Sequence, residues 1–200
     1  MLIKTNILTM FLFAASLTLP TNGCGGGSPS NVREFDCTKS KISLFDVPGT
    51  PSIKIKTSRC NDYIYQPESV SRVLHKFVKE YADTFDIDTL TLWNMLSSLE
   101  IEVSVIPKII NAAFDTKGNL VTNVYVTGLA VSPSKIWVEI KTGQIWSSSL
   151  THELVHIVIW HINGKIHGDP DHEGTRFSGW TAKHTKFIKH FNLRLMELAL

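Results

Sequence analysis

Two histidines and a glutamate stand close together in the last third of the chain, in the run His152-Glu153-Leu154-Val155-His156. On a helix, residues four apart lie on the same face, so His152 and His156 can present two imidazole nitrogens to one metal ion. Glu153 is rotated off that line, where it can contact a water on the metal without being a ligand. Two neutral nitrogens and one carboxylate base are what zinc-assisted hydrolysis of an amide requires.

The residues around this motif are apolar on nearly every side of the expected helix, which should therefore be buried. Polar and charged groups in a buried helix need partners, and a metal ion would supply one. The alternative is that the histidines are ordinary core or surface residues. The apolar neighbours are Leu150, Leu154, Val155, Ile157, Val158, Ile159 and Trp160.

Hydrophobic periodicity predicts the elements that position the motif. We expect the motif helix to begin near Ser147 to Ser149, where serines can cap it, and to end near Asn163-Gly164. The fold class is α+β, with a small mixed or antiparallel sheet packed on the motif helix and two to three further helices. The other predicted helices span about 67–81, 90–99 and 180–198, and the main strands 100–106, 123–126 and 135–141.

The succession of helix, strands and H-E-x-x-H helix resembles the upper subdomain of zincin metallopeptidases. In zincins, a mixed sheet ends in an edge strand that pairs with an extended substrate, and the motif helix runs beneath it. The resemblance gives that place to the strand 135–141, so Trp137 and Glu139 would line the substrate cleft. The alternative is a sheet with nothing bound.

A catalytic zinc takes three protein ligands and leaves one position for water, so a third ligand must come from outside the helix. Metzincins place it six residues after the second histidine with a glycine between, but Ile162 and Ile159 hold those positions, which excludes that subclass. The densest source of donors downstream is Asp169-Pro170-Asp171-His172-Glu173-Gly174. We expect His172 to be the third ligand, as in the ligand set of SprT-like zincins, with Glu173 as the alternative.

Four further residues could support such a site. Asp169 and Asp171 could accept the free ring N–H of a ligand histidine, although turn formation is the alternative for either. His167 and His184 compete for the ligand position or could stabilise the oxyanion, and His184 could equally be a satisfied core residue. All four tyrosines precede the motif. The downstream tyrosine that stabilises the oxyanion in several zincin families therefore has no counterpart.

The start of the chain has the pattern of an export signal. Lys4 gives a positively charged beginning, and residues 7–19 form an apolar run too short to span a membrane. We therefore expect residues 1–23 to be a signal peptide and residues 32–200 to form one metallopeptidase domain.

Cys24 follows a glycine after the apolar run and resembles the lipidated cysteine of bacterial lipoproteins. Thr21 and Asn22 depart from the usual lipobox, which has leucine and a small residue there, so an ordinary secretory signal is the alternative. With lipid on Cys24, the Gly-rich residues 24–31 would be a flexible tether. The protein is then expected in the bacterial cell envelope, anchored to the membrane, or otherwise secreted.

The remaining composition narrows the class of protein. If Cys24 carries lipid, Cys37 and Cys60 are left as a disulfide pair in an oxidising compartment. The net charge is +2 and no basic run occurs, so no nucleic-acid partner is expected. A single domain of this length can bury a proper core, and we expect a monomer.

The sequence therefore predicts an exported zinc metallopeptidase that binds one Zn²⁺ and hydrolyses a peptide or protein substrate. Glu153 would activate the zinc-bound water and return the proton to the leaving amine. Two alternatives stay open. The protein could be a hydrolase of cell-wall peptides, or a lipoprotein that binds zinc or a partner protein without catalysis.

Overall fold

The computed structural model describes residues 42–58, 67–104, 108–110, 113–114, 120–121, 124–139, 149–164 and 179–197. This part of the chain forms strands and helices in the order β1 (Ile42–Asp46), β2 (Lys54–Ser58), α1 (Pro67–Phe85), α2 (Thr89–Met95), β3 (Glu100–Ser104), β4 (Lys108–Ile110), β5 (Ala113–Phe114), β6 (Leu120–Val121), β7 (Val124–Val126), β8 (Gly128–Ser132), β9 (Lys135–Glu139), α3 (Leu150–Asn163) and α4 (Ala182–Glu197).

The proposed signal peptide and tether, with Cys24, Cys37 and Cys60, lie outside the described residues. Within the described ranges, no helix is both long enough and apolar enough to cross a membrane.

The main sheet has five strands in the order β1-β2-β3-β9-β8. Its inner strands β2, β3 and β9 run parallel, while β1 and β8 pair antiparallel at the two ends. The segment between β3 and β8 forms two small antiparallel pairs, β4 with β7 and β5 with β6. A mixed sheet with four helices in the described part of the chain confirms the predicted α+β class.

Alternation along the strands separates an apolar face from a polar one. In β3, Ile101 and Val103 are buried in the core that the helices cover, and Glu100 and Glu102 lie on the opposite face. There Lys135 of β9 approaches both carboxylates, at 3.1 Å and 2.9 Å. The hydrogen bonds that Lys135 donates to Glu102 and then to Glu100 raise the pKa of Lys135. Such partly exposed pairs add little stability, so the core face carries most of it.

The helices α1 and α3 confirm the expected patterns. In α1 the predicted apolar stripe is buried, whereas His75 on the other side of the helix is exposed. Helix α3 begins after Ser149, whose side chain makes no capping hydrogen bond, so the expected serine cap is absent there. It ends at Gly164, whose left-handed backbone (φ 72°) provides the C-cap. Because α3 is buried on most sides and packs on β8, it holds the motif against the end of the sheet. The α1 stripe consists of Val70, Val73, Leu74, Phe77, Val78 and Tyr81.

The prediction that the strand 135–141 forms the edge of the sheet is wrong. Strand β9 lies between β3 and β8, and among the described residues β8 is the outer strand. Trp137 and Glu139 are only 2% and 5% exposed, so β9 is buried on both faces instead of one. Strand β8 therefore takes the place at the sheet edge beside the motif helix.

Truncating the central strand should destabilise the domain. Ile101→Ala removes a fully buried side chain from β3 and should lower the free energy of unfolding by about 2–5 kcal/mol, because the cavity cannot close completely. Leu44→Ala in β1, where the side chain is 51% exposed, is the control and should change it by less than about 0.5 kcal/mol. Urea unfolding of both variants checks this, and equal losses would contradict the assignment of the core.

Candidate active site

The two motif histidines converge as a pair of metal ligands would. Helix α3 places them on one face, and their Nε2 atoms lie 3.1 Å apart. Two nitrogens bound to one tetrahedral zinc ion at ordinary Zn–N distances are about 3.3 Å apart. Without a metal, the same contact is an N–H···N hydrogen bond. The separation of His152 and His156 therefore fits two ligands of a single ion.

The carboxyl group of Glu153 lies against the edge strand. The residue is 1% exposed, and the carboxyl accepts a hydrogen bond from the backbone N–H of Ala130 in β8. At Gly128, two residues earlier, a Cβ atom would overlap Glu153 Oε1 and would lie 2.6 Å from the Cβ of Ser149. The carboxyl thus occupies space that any other residue at position 128 would fill.

Burial changes the acidity of this carboxyl group. Loss of hydration raises the pKa of Glu153 to about 8, although the hydrogen bond from Ala130 opposes the rise. Oε1 is buried and has no hydrogen-bond partner among the described residues. A buried oxygen in this state calls for a proton, a water or a ligand. The chemistry of this donor set, two imidazoles and one buried carboxyl, fits a zinc ion with its water.

Trp180 packs against both histidine rings. Its indole is 1% exposed, with ring centroids 5.0 Å from His152 and 4.8 Å from His156. The indole Nε1 donates a hydrogen bond to Thr185 Oγ1 at 3.1 Å, which ties the tryptophan to α4. Because the ring is fixed at one end and contacts both imidazoles, it limits how the pair can rotate.

His184, a predicted competitor for the site, is held in the interface between α1 and α4. The backbone N–H of Thr181 donates to its Nδ1 at 2.9 Å, so the proton of the neutral ring is on Nε2, which donates to Tyr81 Oη at 3.1 Å. Its ring stacks on Phe85 at 4.3 Å and contacts Trp180 at 5.8 Å. Among these contacts, Trp180 is the residue that links His184 to the histidine pair.

Burial also affects the two groups of that hydrogen bond. Loss of hydration, with a smaller contribution from Lys183, lowers the pKa of His184 to about 4. The same cause raises the pKa of Tyr81 well above its ordinary value. Both side chains are therefore neutral at physiological pH and suit a structural role.

The predicted third ligand and its neighbours lie outside the described residues. Within the described ranges, no group of three or more His, Cys, Asp or Glu side chains could hold a metal ion. Residues 165–178 contain these positions, and the described residues on either side of them lie close together. A Cβ on Gly179 would overlap the side-chain amide of Asn163, next to Gly164. The predicted residues concerned are His167, Asp169, Asp171, His172 and Glu173.

Three residues of the site were missed by sequence reasoning. The sequence pattern gives Trp180 no role beyond the start of the predicted helix 180–198, and it predicts no strand that contains Gly128 or Ala130. The available signal was a glycine inside an otherwise extended stretch, which often marks a close approach by other atoms.

Comparison of the chain with protein-family models, with curated proteins and with solved structures gives no match.

The neutral state of His184 should make folding sensitive to acid. Between about pH 4 and 6.5 the unfolded chain binds a proton that the folded chain does not, so the free energy of unfolding falls as the pH drops through this range. His184→Gln lacks this contribution and should show a shallower decline. Urea unfolding at several pH values from 4 to 7 checks this, and parallel curves for the two proteins would contradict it.

Proposed function

We propose that this protein is a zinc-dependent hydrolase of peptide bonds. The observation that carries the proposal is the convergence of His152 and His156 at 3.1 Å on the helix that also carries the buried carboxyl of Glu153. Two imidazole nitrogens and a carboxyl group with an unused oxygen form the donor and base set of this chemistry.

The metal would be held by the histidine pair and by one ligand from residues 165–178. His172 is the proposed third ligand, with Glu173 as the alternative. The contact between Gly179 and Asn163 supports this, because a segment whose ends meet beside α3 can return a side chain to that helix. Zinc bound there would act as a Lewis acid that polarises a carbonyl and lowers the pKa of a water.

Glu153 would move the protons of the reaction. It takes a proton from the attacking water and later delivers it to the leaving amine. The Ala130 N–H holds the carboxyl, and Oε1 has no hydrogen-bond partner among the described residues that would compete with this exchange.

The outer side of β8 would receive an extended peptide. Glu139 N donates to Thr127 O at 2.8 Å beside the pair Gly128 and Val138, so Gly128 and Ala130 direct their backbone groups away from β9. The Ala130 N–H is already donated to Glu153, and the other main-chain groups on that side can pair with a substrate strand, as in other cases of strand addition. Strand β8, and not Trp137 and Glu139, is thus the proposed wall of the cleft.

The proposed setting is outside the cytoplasm. Residues 1–23 would direct export, and lipid on Cys24 would anchor the domain to the membrane of the cell envelope. Substrates would then be peptides or proteins in that compartment, including the peptides of the cell wall.

Metal binding should be measurable before any substrate is known. The purified chain should contain one zinc per molecule, and Co²⁺ in its place should quench the fluorescence of Trp180, whose indole contacts both histidine rings. Trp180→Phe should lose most of that quenching and still bind one metal ion per molecule.

His172→Ala should lower zinc occupancy sharply, because a structural or catalytic site needs its third ligand. Full occupancy in that variant would move the ligand to Glu173 or another residue, and full occupancy in His156→Ala would exclude the proposed site.

Removing the base should abolish hydrolysis without removing the metal. Glu153→Gln preserves shape but cannot accept the proton, so the rate should fall by about 10²–10⁴ while zinc content stays at one. Release of new amino groups from an unfolded protein substrate is the measurement. Glu102→Gln, on the far face of the sheet, is the matched control and should keep full activity. Equal rates for Glu153→Gln and the wild type would contradict the mechanism, and absence of cleavage by the zinc-loaded wild type would favour a binding protein.

A further inference from the structure

We propose that Gly128 is a positioning residue for the carboxyl group of Glu153, an inference that rests on the proposed function. The absence of a side chain at this point of β8 creates the space in which the carboxyl lies. Substitution of this glycine should therefore impair proton transfer by Glu153 while the histidine pair remains intact.

The space at Gly128 is filled from two sides. A Cβ there would overlap Glu153 Oε1, would lie 2.9 Å from Glu153 Cδ, and would lie 2.6 Å from the Cβ of Ser149. Real Cβ atoms essentially never come this close to other heavy atoms, so something must move. The carboxyl group is the movable partner, because Ser149 is fixed by the start of α3 and by a 2.7 Å hydrogen bond to Thr127.

The backbone of β8 explains why this position faces the glutamate. Gly128 pairs with Val138 and Ala130 with Ile136, both as pairs that do not exchange hydrogen bonds. Their N–H groups therefore point away from β9, and the N–H of Ala130 reaches Glu153. A side chain at 128 that displaced the carboxyl would also break this hydrogen bond.

Backbone conformation does not account for the glycine. Among the described glycines, positive φ occurs at Gly49, Gly164 and Gly179, and Gly128 is absent from that set. In an ordinary strand, glycine is less favourable than residues with side chains because it packs nothing and loses more entropy on folding. The reason for a glycine at 128 is therefore the approach of Glu153 and Ser149.

The test is Gly128→Ala in the full-length, zinc-loaded protein. We expect kcat to fall by about 100-fold, as for a misplaced catalytic group, with KM within about threefold of the wild type and zinc content unchanged. Gly49→Ala, in the turn between β1 and β2, is the control: its positive φ makes alanine strained, and the side chains nearest to it belong to α1 and not to the site. It should lower Tm and leave kcat unchanged, which separates positioning from a general loss of stability.

A double-mutant cycle tests the contact itself, independently of activity. Gly128→Ala should lower Tm by about 3–10 °C in the wild-type background and by clearly less in a Glu153→Ala background, where the carboxyl no longer occupies the space. If Gly128→Ala alone does not fold, folding of the double variant gives the same support.

Two results would overturn the proposal. Equal Tm losses in both backgrounds, or failure of both variants to fold, would assign the glycine to Ser149 and α3 alone. A kcat for Gly128→Ala within about threefold of the wild type would show that the position of the carboxyl is not set here. Failure of the proposed function looks different, because then the wild type lacks zinc or hydrolysis while the cycle still reports whether Gly128 makes room for Glu153.

Discussion

The burial of one carboxyl group constrains the rest of this site. Helix α3 is apolar on most sides and lies inside the domain, so Glu153 loses nearly all contact with water. Burying a carboxyl is costly unless it is protonated or hydrogen-bonded, and here its pKa rises to about 8. The Ala130 N–H and the space at Gly128 are the two features of β8 that accommodate the group. The outer strand of the sheet is therefore part of the site as well as a neighbour of it.

The histidine pair depends on a second, aromatic set of contacts. Trp180 contacts both imidazoles and is held through Thr185, which follows His184 in α4. His184 in turn bonds to Tyr81 of α1 across the core. Because each ring is held by the next, α4 and α1 both limit how freely the pair can move, although α1 lies far from the motif in sequence. Fixed ligand rings reduce the entropy that a metal site must lose on binding.

Periodicity predicted α1, α3 and α4 well because their apolar stripes are local in sequence, whereas the helix predicted over 90–99 ends at Met95. The buried residues of α1 and the limits of α3 follow from spacing and from Gly164 alone. Strand β8 was missed because glycine, alanine and serine, which have little strand preference, hold alternate positions of its five residues Gly128–Ser132, and its pairing with β9 supplies what the sequence lacks. The contact between Gly128 and Glu153 joins residues that are distant in sequence, so no local pattern contains it.

The buried carboxyl and a cation at the histidine pair would influence each other. A cation near His152 and His156 favours the ionised carboxylate, so its binding would lower the pKa of Glu153 from about 8. By linkage, the ionised carboxylate would strengthen cation binding by the same factor. With no cation nearby, the carboxyl remains mostly protonated at neutral pH, which avoids an uncompensated buried charge. The proposed base would therefore become competent only when the metal is present, and the burial that raises its pKa is the cause of this dependence.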